Sequence, residues 1–381
     1  AVLPTYPLND TTEARYAEIG RQMVVTGDWV TPRIETERPF WGKPPLSFWL
    51  TAISFSLFGL SELAARLPSL LLMLLTAWVV YDFARRTADR EIGIAAAAIM
   101  MTTILGFVVA GAVMTDASLL LSTTLAMVAF WMAVVEQRRI WRYPFFVALG
   151  LGLLAKGPVS LVLAGLPVAG WLLFYRKPIE AIKCLPWFSG SILMLAIALP
   201  WYLLAESRTP GFLEYFLVGE HWLRFVDSGW QGDLYGEAHA RPRGTIWLYA
   251  VAATLPWSAA AIMLAVRRMH SGTGLSPTPF QAYLWLWAAT PLIFFTFAGN
   301  ILPTYVLSGL PAFGILLAAS LATCRERVIQ IGWIAPALAC AVIALQPVLV
   351  GPHPSQRDIV ELQQDIAPDR GLYYYPRKPH S

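Results

Sequence analysis

Apolar runs punctuated by short polar connections set the pattern of this chain. Runs near the ~20 residues needed to cross a bilayer lie at about 64–83, 92–113, 117–135, 157–175, 187–204, 245–266, 279–298, 301–321 and 328–350. A shorter run, 143–155, is broken from the next by "AKGP". "LSFWLTAISFSLFGL", from Leu46 to Leu60, is long enough to lie in a membrane interface but short for a span. The pattern predicts an all-α polytopic membrane protein. It divides into an outer segment over 1–63 with interfacial helices, a transmembrane helical bundle over 64–350 that includes a long outer loop at 205–243, and a short tail at 351–381.

Basic residues cluster at every second connection: Arg85, Arg86 and Arg90, then Arg138, Arg139 and Arg142, then Arg176, Lys177 and Lys183, then Arg267 and Arg268, then Arg325 and Arg327. Such clusters mark the cytoplasmic side, and the alternation closes when 143–155 crosses as a short helix ending at Lys156. The other connections then face outward. They hold Asp10, Glu13, Arg15, Lys43, Asp116, Lys156, Glu220, His221, Arg224 and Asn300, with Tyr305 one turn into the next helix. A structural membrane protein has no reason to gather ionisable groups at one depth, so this one-sidedness is the main functional signal.

Composition agrees with the pattern. The chain is 57% apolar and 14% charged, against roughly 25% charged in soluble domains, and its mean hydropathy is +0.55. Its 16 Trp, 14 Tyr and 19 Phe suit the aromatic belts of a membrane protein. The net charge of +4 is mostly topological and does not call for a nucleic-acid partner. Cys184, Cys324 and Cys340 have neither metal-ligand nor disulfide spacing and read as packing residues. The first residue is Ala and no signal peptide is visible, which points to a piece lacking an initial membrane anchor.

In "LNDTTEARYAEIGRQMVVTGDW", Asp10 can cap a helix whose first turn holds Glu13, with Tyr16, Ile19 and Met23 as an apolar stripe and Thr26–Gly27 as its end. Arg15 with Glu18, and Glu18 with Arg21, can pair on its surface. The plain alternative to a catalytic role is an interfacial helix with solvated charges. In "PFWGKPPLSFW", Pro44 forces Lys43 into extended backbone and presents its ammonium; a lysine snorkelling to headgroups is the alternative. Asp116, in "AVMTDASLL", stands at an outer helix start where it or Thr115 can cap, whereas Lys156, in "LLAKGPV", interrupts apolar sequence at some cost. "VGEHWLRF" sets Glu220, His221 and Arg224 on one helical face. Glu220 and His221 are two neighbouring ligands for a divalent metal ion, and a Glu220–Arg224 surface pair is the alternative. Tyr305, in "NILPTYVLSGLP", is either a phenol donor or a belt anchor.

Taken together, Arg15, Lys43, Lys156, Arg224 and Tyr305 offer donors to an anion at headgroup depth, as a lipid phosphate would need. On a lipid-phosphate sugar the same donors stabilise the charge that grows as the sugar–oxygen bond breaks. Asp10, Glu13 or Asp116 then supplies the carboxylate, with Asp10 or Glu13 as the base that takes the acceptor's proton.

The segments "TTEARYAEIGRQMVVTGDWVTP" and "PFWGKPPLSFWLTAISFSLFGLSELAARLPS", followed in order by "MTDA", "LAKGP", "GEHWLRF" and "LPTYVLSGLP", resemble bacterial integral-membrane glycosyltransferases of the GT-C fold. The likeness is greatest to the aminoarabinose lipid A transferase group and the broader protein O-mannosyltransferase-like family, and covers most of 8–315. It implies a GT-C bundle in the bacterial inner membrane with periplasmic loops carrying interfacial helices. The implied reaction is inverting transfer from a polyprenyl-phosphate sugar, at the periplasmic face and among membrane lipids, to a lipid A, glycan or protein acceptor. The family's acid motif falls on Thr12 and Glu13, its arginine on Arg15, its lysine on Lys43, its aspartate on Asp116, its histidine on His221 and its tyrosine on Tyr305. Two positions depart: Thr12 stands for the family's leading aspartate, with Asp10 two places earlier, and Gly42 for the glutamate of the aminoarabinose enzymes. A lipid-phosphate flippase and a non-catalytic scaffold are the competing expectations; no internal repeat of the transporter kind is visible.

Overall fold

The structure, a computed structural model, describes residues 8, 11–35, 38–174, 178–227, 230–235, 239–270 and 277–322. Asp10, the run at 328–350 and the tail from 351 lie outside the described residues, as do Cys324 and Cys340.

The described part of residues 1–63 begins with two helices and a strand pair between them. Helix α1 (Thr11–Thr26) ends at Gly27, whose positive φ of 70° lets the chain turn away. Its Ile19 and Met23 are buried against Phe48 and Ala52 of α2 (Leu46–Phe58), with Tyr16 edge-on to Phe40 and Phe48. Between them lie β1 (Arg33–Glu35) and β2 (Arg38–Pro39), an antiparallel pair. The segment is stitched to the rest by Trp201 Nε1 donating to Val30 O at 2.9 Å and by the Arg208–Asp28 ion pair at 2.7 Å. The Glu18–Arg21 pair forms at 2.7 Å. Arg15 instead turns to a cavity and has no ion pair among the described residues.

The bundle follows. Helix α3 (Glu62–Thr87) is capped by Ser61, whose side chain accepts from Ala64 N, and its last-turn Arg85 and Arg86 pair with Asp82. After it come α4 (Arg90–Thr102), α5 (Ile104–Gly111), α6 (Asp116–Val134), α7 (Arg142–Lys156), α8 (Val159–Phe174), α9 (Pro178–Lys183) and α10 (Trp187–Arg208). A π-helical segment, Glu214–Leu223, runs into α11 (Arg224–Val226). Then come α12 (Thr245–Ala253), α13 (Trp257–His270), α14 (Pro279–Thr296) and, after a 3-10 segment at Pro303–Gly309, α15 (Leu310–Leu321). Helix α6 is the centre of the bundle, buried at every position but Leu125, and its Ser118, Ser122, Ala126, Ala129 and Ala133 admit close neighbours.

Among the described residues, four helical stretches are long and apolar enough to cross a membrane: Glu62–Thr87, Asp116–Val134, Trp187–Arg208 and Pro303–Leu321. Two expected straight spans are instead bent, 92–113 by 70° between α4 and α5, and 245–266 by 107° between α12 and α13. The first break lies at Thr103, which leaves α4 in extended backbone and caps α5 by accepting from Gly106 N at 3.0 Å. The second lies at Pro256, which has no N–H to offer an α-helix. The bends touch: Ile104 N donates to Leu255 O at 2.9 Å, and Trp257 Nε1 to Thr102 Oγ1 at 2.9 Å. Helix α7 is the short one expected, about 22 Å long for its 15 residues. It ends at Gly157, where φ is +76°.

Candidate active site

A cavity of about 1770 Å³ opens where ends of these helices meet the loops assigned outward from the sequence. Its polar lining combines Arg15 from α1, Lys43 from the loop before α2, Asp116 at the start of α6, Lys156 at the end of α7, Glu220, His221 and Arg224 from the π-helical segment and α11, and Tyr305. Its apolar lining includes Ile104, Leu105 and Val108 of α5, Val159, Val162 and Leu163 of α8, and Tyr249, Ala252 and Ala253 of α12. A large cavity lined by both charged and apolar side chains suits an amphiphile with an anionic head.

Pro44 and Pro45 leave Lys43 no helix to join, and its ammonium crosses to the longest outer loop. Nζ donates to Glu220 Oε2 at 3.2 Å and to Gly42 O at 2.6 Å. Arg224, one helical turn after Glu220, reaches back through Nη1 to both carboxylate oxygens at 3.0 and 3.1 Å, and to Asp233 at 3.1 Å. The Glu220 side chain is 5% exposed. Burial alone would raise its pKa, but the Lys43 and Arg224 charges outweigh it and hold the carboxyl below its ordinary value. Burial, aided by Arg224 and Lys156, lowers Lys43 against the pull of Glu220. Burial is the largest single influence on Arg224 and pulls it down, but Glu220, Tyr305 and Asp233 together outweigh it and raise it.

Lys156 donates to Asp116 Oδ1 at 2.6 Å, and its ammonium lies 5.5 Å from the centroid of the Tyr305 ring, which stacks on Phe295. Capping is therefore not what Asp116 does: it is the first residue of α6, Thr115 precedes it without a side-chain cap, and its carboxylate turns to Lys156.

Glu13 goes elsewhere. It is 8% exposed, takes Arg66 Nη2 at 3.2 Å and Nε at 3.3 Å, and accepts from Val113 N at 2.8 Å. Neighbouring Thr12 lines the cavity and Glu13 does not. The structure thus joins α1 to α3 and to the turn before α6 through the carboxylate read from sequence as a possible base.

The metal reading of Glu220 and His221 does not fit the geometry. His221 Nδ1 lies 2.8 Å from Phe216 O and Nε2 3.1 Å from Lys156 O, so both ring nitrogens face carbonyls, while two cations hold Glu220. Among the described residues no three His, Cys, Asp or Glu side chains form a metal-binding group. His221 instead ties the π-helical segment to the end of α7. Gly157 makes this possible, because a Cβ there would stand 2.6 Å from Phe216 Cζ and 3.1 Å from His221 Nε2.

Sequence reasoning missed Asp233, Arg66, Arg38 and Tyr235. Asp233 pairs with Arg224. Tyr235 donates to Pro39 O at 2.7 Å, accepts from Trp41 N at 3.2 Å and carries the Arg38 guanidinium over its ring. Arg66 alone had a signal, as a lone charge entering an apolar run.

Helices bent at two points, a first outer segment folded onto them and a charged cavity at one end define a multi-pass membrane protein of GT-C architecture. Residues 8–216 match the dolichyl-phosphate-mannose-protein mannosyltransferase family, and the chain belongs to it. Among curated proteins it is similar to an undecaprenyl phosphate-alpha-4-amino-4-deoxy-L-arabinose arabinosyl transferase of Erwinia tasmaniensis, 30% identical over 320 residues, covering 80% of this chain and 54% of that protein. A second such transferase, from Sodalis glossinidius, is 31% identical over 334 residues, covering 84% and 56%. The chain therefore spans just over half the length of these relatives. The crystal structure of ArnT from Cupriavidus metallidurans bound to undecaprenyl phosphate superposes with a TM-score of 0.76 at 28% identity, covering 93% of this chain and 63% of that one.

Proposed function

We propose that the protein is an inverting glycosyltransferase that moves a sugar from a polyprenyl-phosphate donor to a lipid A, glycan or protein acceptor at the periplasmic face of the bacterial inner membrane. The observation that carries this reading is the convergence of Lys43 and Arg224 on one anion in a cavity that also has an extensive apolar lining. Five cations line that cavity, Arg15, Arg38, Lys43, Lys156 and Arg224, against the carboxylates Asp116, Glu220 and Asp233, an excess of two positive charges that suits a phosphate. The names of the relatives, undecaprenyl phosphate-aminoarabinose arabinosyl transferases, support the donor class and favour aminoarabinose.

The donor phosphate sits among Lys43, Arg224 and Arg15 with its polyprenyl chain along α5, α8 and α12. As the sugar–phosphate bond breaks, negative charge grows on the phosphate oxygens, and pre-oriented cations stabilise that state more than the ground state. A hydroxyl or amine acceptor loses its proton to a carboxylate. Asp116, fixed by Lys156, is the cavity carboxylate that does not also hold a phosphate-binding cation of this set, and it takes that role. Membrane vesicles carrying the protein should transfer label from a polyprenyl-phosphate aminoarabinose to lipid A. Lys43→Ala should reduce transfer by about a hundredfold or more with folded protein retained. Full activity in that variant would overturn the assignment, and mass spectrometry of envelope glycans and periplasmic proteins would report a different acceptor.

A further inference from the structure

Glu220 occupies the position that the proposed function gives to the donor phosphate. Its oxygens receive Lys43 Nζ at 3.2 Å, Arg224 Nη1 at 3.0 and 3.1 Å, and the Tyr215 hydroxyl at 3.3 Å. A carboxylate so placed spares Lys43 the cost of standing unpaired and shares Arg224 with Asp233. The fit to Arg224 is nevertheless incomplete. Nη1 serves both Glu220 and Asp233, while Nε is buried without a hydrogen-bond partner. A guanidinium presents a planar fork that two oxygens of a phosphate match better than one shared nitrogen does. Glu220 also lies within the π-helical stretch Glu214–Leu223, an irregular winding that recurs at functional sites.

We propose that Glu220 is an exchangeable counter-anion: it neutralises Lys43 and Arg224 in the empty site, yields them to the incoming lipid phosphate, and takes them back to expel the lipid-phosphate product. The inference rests on reading the cavity as a lipid-phosphate site. It makes Glu220 a positioning residue that sets product release, distinct from any group that reacts.

Glu220→Gln keeps the shape and removes the charge. Purified in detergent, this variant should bind undecaprenyl phosphate about tenfold more tightly than the unmodified protein, while undecaprenol, which lacks the phosphate, binds both alike. Turnover should fall and inhibition by added undecaprenyl phosphate should strengthen by a similar factor. Undecaprenyl phosphate should also raise the melting temperature of the variant by more than that of the unmodified protein, which separates this role from simple loss of structure. Glu220→Asp, which keeps the charge on a shorter arm, gives an intermediate affinity and serves where the Gln variant fails to fold. If the unmodified protein binds undecaprenyl phosphate and neither variant binds it more tightly, the counter-anion proposal falls and the lipid-phosphate reading stands. Absence of binding to any form overturns both.

Discussion

Glu13 and Arg66 form a buried pair, so a neutral side chain at position 13 takes a carboxylate at 3.2 Å away from a guanidinium that is 2% exposed. Glu13→Ala also takes the acceptor from Val113 N and should cost about 1–3 kcal/mol of stability, and Arg66→Met in the same chain should recover part of it. Thermal unfolding of the single and double variants checks this. A stable Glu13→Ala protein that has merely lost transfer would restore Glu13 as the base. His221 makes a pH-dependent prediction. Burial, foremost, lowers its pKa below the ordinary 6.5 although Phe216 O and Lys156 O favour the protonated ring. The folded protein thus holds His221 neutral where the unfolded chain takes up a proton, so its contribution is complete above pH 6.5 and shrinks as pH falls toward the folded value. Melting temperature should decline below that pH more steeply than in His221→Gln; equal slopes would sink the assignment. Which residues pair was legible only where the pairing is local. Glu18–Arg21 and Glu220–Arg224 follow from helical spacing. Lys43–Glu220 spans 177 positions, Arg66–Glu13 53 and Lys156–Asp116 40, and no periodicity relates such pairs.

The two bends are the features of element scale that hydropathy could not show, because Thr103 and Pro256 sit inside uninterrupted apolar runs. Averaging over a window registers oiliness and ignores where backbone hydrogen bonds stop. The bends matter because α5 and α12, the outer halves, contribute to the apolar lining of the cavity. Their junction holds through Trp257 Nε1, on a residue 6% exposed, donating to Thr102 Oγ1. Thr102→Val leaves that indole N–H without its acceptor and should cost about 1–3 kcal/mol. Trp257→Phe removes the donor as well, so the two substitutions together should destabilise by less than their sum. Strict additivity in a thermal double-mutant cycle would show that the bond does not couple the bends.

At the scale of the molecule, the alternation of basic clusters groups the helix ends, since it depends only on the order of crossings. Asp116, Lys156 and Tyr305, all assigned outward, meet at one end of the bundle. At the other, Gln137 touches Cys184 beside the basic connections. The absolute direction follows from the positive-inside rule and is open to test with Cys184, Cys324 and Cys340 replaced by Ser. Arg139 and Arg243 are both exposed, the first in a basic connection and the second in the outer loop before α12. In intact spheroplasts a membrane-impermeant maleimide should label Arg243→Cys and leave Arg139→Cys untouched until the membrane is permeabilised. The reverse labelling would place the cavity in the cytoplasm. The periplasmic proposal would then fail while the grouping of helix ends survived, because a bundle inserted the other way up keeps every contact in the site.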